Sequence, residues 1–101
     1  MKTTNVDGIE LAYDVQGVGE TVLFIHGAIW ADFLRPLADE PAFSGFQRIR
    51  YHRRGYGKSR APAGGFDVQA ADILALLDHI EVDRAHMVGH SEGAMIEFSG
   101  T

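Results

Sequence analysis

The sequence predicts an α/β domain in which an antiparallel hairpin leads into parallel strands that alternate with helices. Three observations carry this reading. Residues 9–16 alternate strictly between apolar and polar, residues 22–25 are a continuous apolar run, and residues 70–80 repeat apolar side chains at helical spacing. Period two marks a half-exposed strand, a short unbroken run marks a strand buried on both faces, and a 3.6-residue period marks a helix packed on one side. The 101 residues suit a single domain spanning 1–101, with no linker and no internal repeat.

In the first strand pair, Ile9, Leu11, Tyr13 and Val15 are expected on one face and Glu10, Ala12, Asp14 and Gln16 on a solvated one. Asp7-Gly8 is a favoured two-residue hairpin turn and makes residues 3–6 the partner strand. Gly17-Val18-Gly19-Glu20 breaks the pattern. Its Gly-x-Gly lacks the third glycine of a dinucleotide fingerprint, where Val22 stands, and it precedes a strand instead of following one, so it reads as a plain turn.

Residues 21–25 read as a buried parallel strand ending at His26-Gly27-Ala28. A short helix through Phe33, Leu34 and Leu37 follows, with Asp32 as the expected cap and Pro36 tolerated only in the first turn. Pro41 and Gly45 close it, and residues 48–52 form the next strand. The loop Arg53-Arg54-Gly55-Tyr56-Gly57-Lys58-Ser59 comes after it. Gly57-Lys58-Ser59 resembles the tail of a phosphate-binding loop, but the first glycine of that motif should stand where His52 does, and no helix signal follows. The cluster Arg50, Arg53, Arg54, Lys58 and Arg60 is expected to be solvated or paired internally with carboxylates and carbonyls.

Asp67 is the expected cap of the clearest helix, whose buried stripe is Ala70, Ile73, Leu74, Leu77 and Ile80, with Asp72, Asp78 and Glu81 facing outward. Residues 84–90 are the last strand, and Ala94, Met95, Ile96 and Phe98 begin a final helix. Between these two elements lies Gly89-His90-Ser91-Glu92-Gly93. A serine flanked by glycines at a strand-to-helix junction has the form of a nucleophile elbow, the glycines relieving the crowding of a strained turn. With four serines and twelve glycines, a chance match to Gly-x-Ser-x-Gly is expected about 0.06 times in such a chain. The surrounding strands therefore carry as much weight as the motif.

Bulk properties exclude several functions. A net charge of −5 disfavours nucleic acid as a partner, since backbone phosphates would be repelled. Cysteine is absent, which removes thiolate chemistry and any disulfide framework and suits a reducing cytoplasm. The first seven residues lack the apolar core of a signal peptide, and no stretch approaches the roughly 20 apolar residues that cross a bilayer. A cytoplasmic, soluble protein with no membrane partner is expected. His86 and His90 lie roughly 13 Å apart along a strand and fail as a metal pair, so no metal and no cofactor is assigned.

Three loops, after residues 25, 52 and 89, leave the carboxyl ends of parallel strands, where α/β folds build ligand sites. The hairpin, the His-Gly loop, the Arg-Gly-x-Gly-x-Ser loop and the elbow together resemble the N-terminal part of the α/β-hydrolase-fold superfamily, in its serine-nucleophile branch, over nearly all 101 residues. The resemblance implies that Ser91 is the nucleophile and that the backbone N–H groups of Ala28 and Glu92 form the oxyanion hole. His26, Gly27, Gly89 and Gly93 shape those loops. Serine at the elbow stands against the branches that use aspartate there, such as haloalkane dehalogenases and epoxide hydrolases. Members often carry aspartate where this chain has His52, a departure that bears on the packing of the loop.

In this fold the acid and the histidine follow the serine, whereas residues 92–101 hold only Glu92 and Glu97 as acids and no histidine. His26, His52, His79, His86 and His90 all precede or adjoin Ser91, and structural roles are expected for them. The resemblance thus implies a C-terminally truncated hydrolase sheet. The intact parent would be a serine hydrolase acting on a small-molecule ester or related acyl compound, and the 101-residue chain an inactive fragment prone to associate through an unpaired strand edge. Perhydrolase, lactonase, C–C hydrolase and acyltransferase activity in the parent, or a non-catalytic binding module on the same scaffold, are the alternatives.

Overall fold

The computed structural model describes all residues except 7, 29, 61, 100 and 101, with the backbone alone for residues 97–99. Five strands form one mixed sheet: β1 (Lys2–Val6), β2 (Ile9–Gln16), β3 (Thr21–Ile25), β4 (Gln47–Tyr51) and β5 (His86–Gly89), in the order β1-β2-β4-β3-β5. β1 and β2 pair antiparallel through a two-residue turn, Val6 opposite Ile9, and Gly8 there has a φ of 88°. Asp7, the other expected turn residue, lies outside the described residues. β2 pairs antiparallel with β4, while β4, β3 and β5 run parallel. The sheet is thus the hairpin-plus-parallel arrangement that the sequence predicts.

All five residues of β3 are buried because the strand feeds two cores. Leu23 and Ile25 pack with Leu11, Ile49, Tyr51 and the inner face of α2 (Phe66–His79), together with Ile96 of α3 (Glu92–Ser99). Val22 and Phe24 point the other way, to Leu34, to Ala38 of α1 (Arg35–Ala38) and to Phe43 of the short 3₁₀ helix Pro41–Phe43. Each fully buried Leu, Ile or Phe contributes about 1.5–3 kcal/mol. α1 therefore covers one face of the sheet, and α2 and α3 the other.

Several sequence expectations are corrected. Asp32 does not cap α1; the cap position is Leu34, and the Asp32 carboxylate is engaged by Arg50 and His52 instead. Pro36 does fall in the first turn. Asp67 is not the cap of α2 either: Gly65 holds that position, and Asp67 sits in the first turn, where its charge opposes the positive helix end. The buried stripe of α2 is Gln69, Ala70, Asp72, Ile73, Leu76 and Leu77, whereas Leu74 is 60% exposed. Asp72 turns inward because Arg54 reaches it through two hydrogen bonds, at 2.7 and 2.8 Å. The second face of β2 is only partly solvated. Ala12 is buried, its N–H donates to Ser59 Oγ at 2.9 Å, and Asp14 pairs with Arg50. Gly17 and Gly19 form a plain turn, both at positive φ, where a Cβ would lie 2.4 and 2.2 Å from the carbonyl oxygens of Phe46 and Gly45. Among the described residues, no helix is long and apolar enough to cross a membrane.

Candidate active site

From β3 the chain turns to α1 on one face and on to β4. From β5 it turns to α3 on the opposite face. Adjacent parallel strands whose connections diverge in this way leave a crevice at their carboxyl ends. The His26–Ala28 segment and the His90–Gly93 turn flank it.

The turn after β5 has the geometry that its glycines suggest. Ser91 has a φ of 56°, a left-handed conformation that costs a non-glycine residue of order 1–3 kcal/mol. Glu81 is the other described non-glycine residue at positive φ, at the C-terminal end of α2, where such a conformation is common. Strain at Ser91 has no such routine explanation. The turn is tied down by hydrogen bonds from His90 N–H to Ile25 O, Gly93 N–H to His90 O and Ala94 N–H to Ser91 O, at 3.0, 2.9 and 3.0 Å. A Cβ on Gly93 would lie 2.2 Å from the Ile25 carbonyl oxygen, and one on Gly89 would lie 2.7 Å from Ala94 N. Gly27 lets the two loops meet, since its Cβ would fall 3.2 Å from Ser91 Cβ and 2.9 Å from His90 Nδ1.

The Ser91 side is exposed, as is Ala28. Among the described residues, neither the Ala28 nor the Glu92 backbone N–H has a hydrogen-bond acceptor. Glu92 opens α3, where first-turn amides lack intrahelical partners.

His26 is buried and neutral. Its Nε2 accepts from the Arg53 N–H at 2.9 Å, which leaves the proton on Nδ1 to donate to Gly27 O at 2.6 Å. Burial, assisted by the Arg53 charge, pulls its pKa from 6.5 down to about 4. His26 therefore shapes the loop that carries Ala28, and both of its ring nitrogens are committed to backbone. Three other histidines are engaged away from Ser91. His52 bonds Asp32 and the Lys58 N–H, His79 bonds Thr4, and His86 pairs with Glu20 at the opposite end of the strand. The His90 ring stacks on Phe33 with centroids 4.4 Å apart. Among the described residues, no group of three or more His, Asp or Glu side chains is placed to hold a metal ion.

The basic cluster is largely paired internally. Arg50 meets Asp14 and Asp32, Arg54 meets Asp72, and Arg53 meets Glu92 and Gln69. Gly57-Lys58-Ser59 lies in turns well short of α2, as the failed phosphate-loop pattern predicts. Sequence reasoning missed the Arg53 partners, the Asp32–His52 pair and the Phe33–His90 stack, each of which joins residues far apart in the chain.

The family model described as alpha/beta hydrolase fold matches residues 20–98, which include both glycine-shaped loops and the strained serine. The chain belongs to the alpha/beta hydrolase family. Within it, the non-heme chloroperoxidase CPO-A1 of Kitasatospora aureofaciens is 35% identical over 97 residues, 89% of this chain and 34% of that protein. An epoxide hydrolase of Caballeronia sordidicola is 36% identical over 93 residues, 87% of this chain and 28% of that protein. The crystal structure of the epoxide hydrolase VrEH1 from Vigna radiata superposes with a TM-score of 0.87 at 28% identity, covering 98% of this chain and 34% of that one. This hydrolase-family chain thus spans about a third of the length of the curated relatives it matches.

Proposed function

We propose that Ser91 is the nucleophile of an acyl-transfer reaction on a carboxylic ester or related small-molecule acyl compound. The observation that supports this most directly is the left-handed backbone of Ser91, φ 56°, at a strand-to-helix turn that packs on the Ile25 carbonyl. In this reading Ser91 Oγ attacks the acyl carbonyl as a base takes its proton. The tetrahedral oxyanion collapses with loss of the alcohol, which receives that proton, and water then hydrolyses the acyl-serine. The N–H groups of Ala28 and Glu92, without an acceptor among the described residues, stabilise the oxyanion, each worth about 3–4 kcal/mol of the barrier.

Among the described residues no histidine is hydrogen-bonded to Ser91, and the reading takes the base and its supporting acid from outside residues 1–101. Loss of the base costs on the order of 10⁶ in turnover, so the 101-residue chain alone turns over near background. Serine at the elbow favours acyl chemistry over epoxide opening, which in this superfamily uses aspartate there. Similarity to a non-heme chloroperoxidase favours one variant, in which hydrogen peroxide replaces water, attacks the acyl-serine and leaves as a peracid while Ser91 is regenerated.

Treatment with a fluorophosphonate, followed by peptide mass mapping, tests the nucleophile. A slow adduct confined to Ser91 and lost in Ser91→Ala is the expected result, and preferential labelling of Ser44, Ser59 or Ser99 would overturn the assignment. Hydrolysis of p-nitrophenyl acetate by the 101-residue chain at ordinary esterase rates, dependent on Ser91, would overturn the external base.

A further inference from the structure

We infer that Arg53 is a positioning residue that sets the Ala28 and Glu92 amides relative to one another. The inference rests on the reading of those two amides as the oxyanion donors. Arg53 follows β4 and contributes no atom to the crevice surface; it is 1% exposed. Its guanidinium holds three elements at once. Nη1 donates to His26 O at 3.1 Å, Nη2 to Glu92 Oε1 at 2.9 Å and Nε to Gln69 Oε1 at 2.7 Å. Its backbone N–H donates to His26 Nε2 at 2.9 Å, and its guanidinium carbon lies 4.7 Å from the centre of the Tyr56 ring.

His26 is two residues before Ala28, and its own Nδ1–H fixes the Gly27 carbonyl between them. Glu92 carries the second donor in its own backbone. One rigid, planar fork therefore connects both loops, and its third arm refers them to Gln69, which donates from Nε2 to Gly64 O at 2.7 Å. The flexible ammonium of lysine could not make these three directed contacts. A buried guanidinium is also a costly way to fill a core, and an apolar residue is often at least as stabilising. What the arginine adds is geometry between two loops that are 66 residues apart in the chain.

Glu92→Ala cuts a single arm at a side chain that is 37% exposed, but it leaves the buried Arg53 charge without its carboxylate, so a folded spectrum is the first check on this variant. Glu92→Gln keeps an oxygen to accept from Nη2. In ¹H–¹⁵N spectra of the chain, Glu92→Ala should move the Ala28 amide cross-peak, Glu92→Gln should return it toward wild type, and residues 2–16 of the hairpin should stay in place. Arg53→Lys should reproduce the Glu92→Ala pattern. Phosphonylation of Ser91 should slow about 10- to 100-fold in Glu92→Ala and recover in Glu92→Gln. An Ala28 resonance indifferent to Glu92→Ala, or shifts spread evenly through the hairpin, would overturn the inference. If wild-type Ser91 takes no probe while the Ala28 shift and its rescue are seen, the coupling stands and the nucleophile reading falls.

Discussion

His52 Nε2 stands 2.8 Å from Asp32 Oδ1, and on the other side of the ring Nδ1 accepts the Lys58 N–H at 3.0 Å. The imidazole thus joins the loop after β4 to the segment between Ala28 and α1. Gly57 is shaped around it, at φ 51°, with a Cβ position only 2.3 Å from Nδ1. Where relatives of this superfamily often carry aspartate, histidine here satisfies the loop amide and spans to a second loop. His52→Ala would leave the Lys58 N–H without its acceptor and open a cavity beneath Gly57, at a cost of about 2–4 kcal/mol. Asp32→Asn keeps an acceptor for His52, while Arg50 retains Asp14, and should cost less than about 1 kcal/mol. Urea midpoints of the two variants check the order, and an Asp32→Asn loss equal to that of His52→Ala would contradict it.

Acid should weaken the fold in a defined window through His26. Burial and the Arg53 charge favour the neutral ring, with its pKa lowered from 6.5 to about 4 in the folded chain. The unfolded chain therefore takes up a proton first as pH falls below 6.5. The contribution of His26 is complete above pH 6.5, is lost progressively between 6.5 and about 4, and is level below that, when both states are protonated. The loss over the window is about 3 kcal/mol. His52 and Asp32 also face this ring, and the Asp32 carboxyl, held below its ordinary 3.8 mainly by the His52 hydrogen bond, adds its own loss only at still lower pH. Unfolding free energy measured against pH should slope through this window, and His26→Asn should flatten it.

The sheet was legible because each strand type has its own burial signature: alternation in β2, an unbroken run in β3 and glycines at the carboxyl ends of β3 and β5. The stripe of α2 differs from the one the periodicity predicts for a physical reason. Periodicity locates an apolar face, but Gln69 and Asp72 are buried by Arg53 and Arg54, which lie 16 and 18 residues earlier and need acceptors once covered. A run of arginines after a strand, with no acid within the loop itself, is the signal that could have called for a buried carboxylate on the next helix. For a related reason, Asp32 and Asp67 are not the caps that the sequence predicts. Short polar residues near a helix start look alike in sequence whether they bond an amide or a distant arginine or histidine.

Tyr51 gives the simplest stability test. Its side chain is buried between sheet and α2, its hydroxyl has no hydrogen-bond partner among the described residues, and burial raises its pKa well above the usual tyrosine value. A buried hydroxyl left without a partner costs about 1–3 kcal/mol, while the ring supplies the apolar packing. Tyr51→Phe should therefore be neutral or stabilising by up to about 1 kcal/mol in the thermal or urea midpoint. A clear destabilisation would mean that the hydroxyl is satisfied.

Gly93→Ala should be far more damaging than its place in a helix suggests. Gly93 is the second residue of α3, where alanine ordinarily improves on glycine by about 1 kcal/mol. Here the added methyl would lie 2.2 Å from the Ile25 carbonyl oxygen and 3.0 Å from Ile25 Cγ2, both on β3, an interior strand buried on both faces. Relief requires the start of α3 to lift from β3, which breaks the His90 N–H to Ile25 O bond and shifts both Ser91 and the Glu92 amide. A loss of about 2–3 kcal/mol is expected, together with loss of fluorophosphonate labelling at Ser91. Gly45→Ala is the matched control. A Cβ there meets nothing within 4 Å, and the substitution should be neutral or stabilising by about 0.5 kcal/mol through the unfolded chain. Equal midpoints for the two variants would show that the elbow does not rest on the β3 carbonyl.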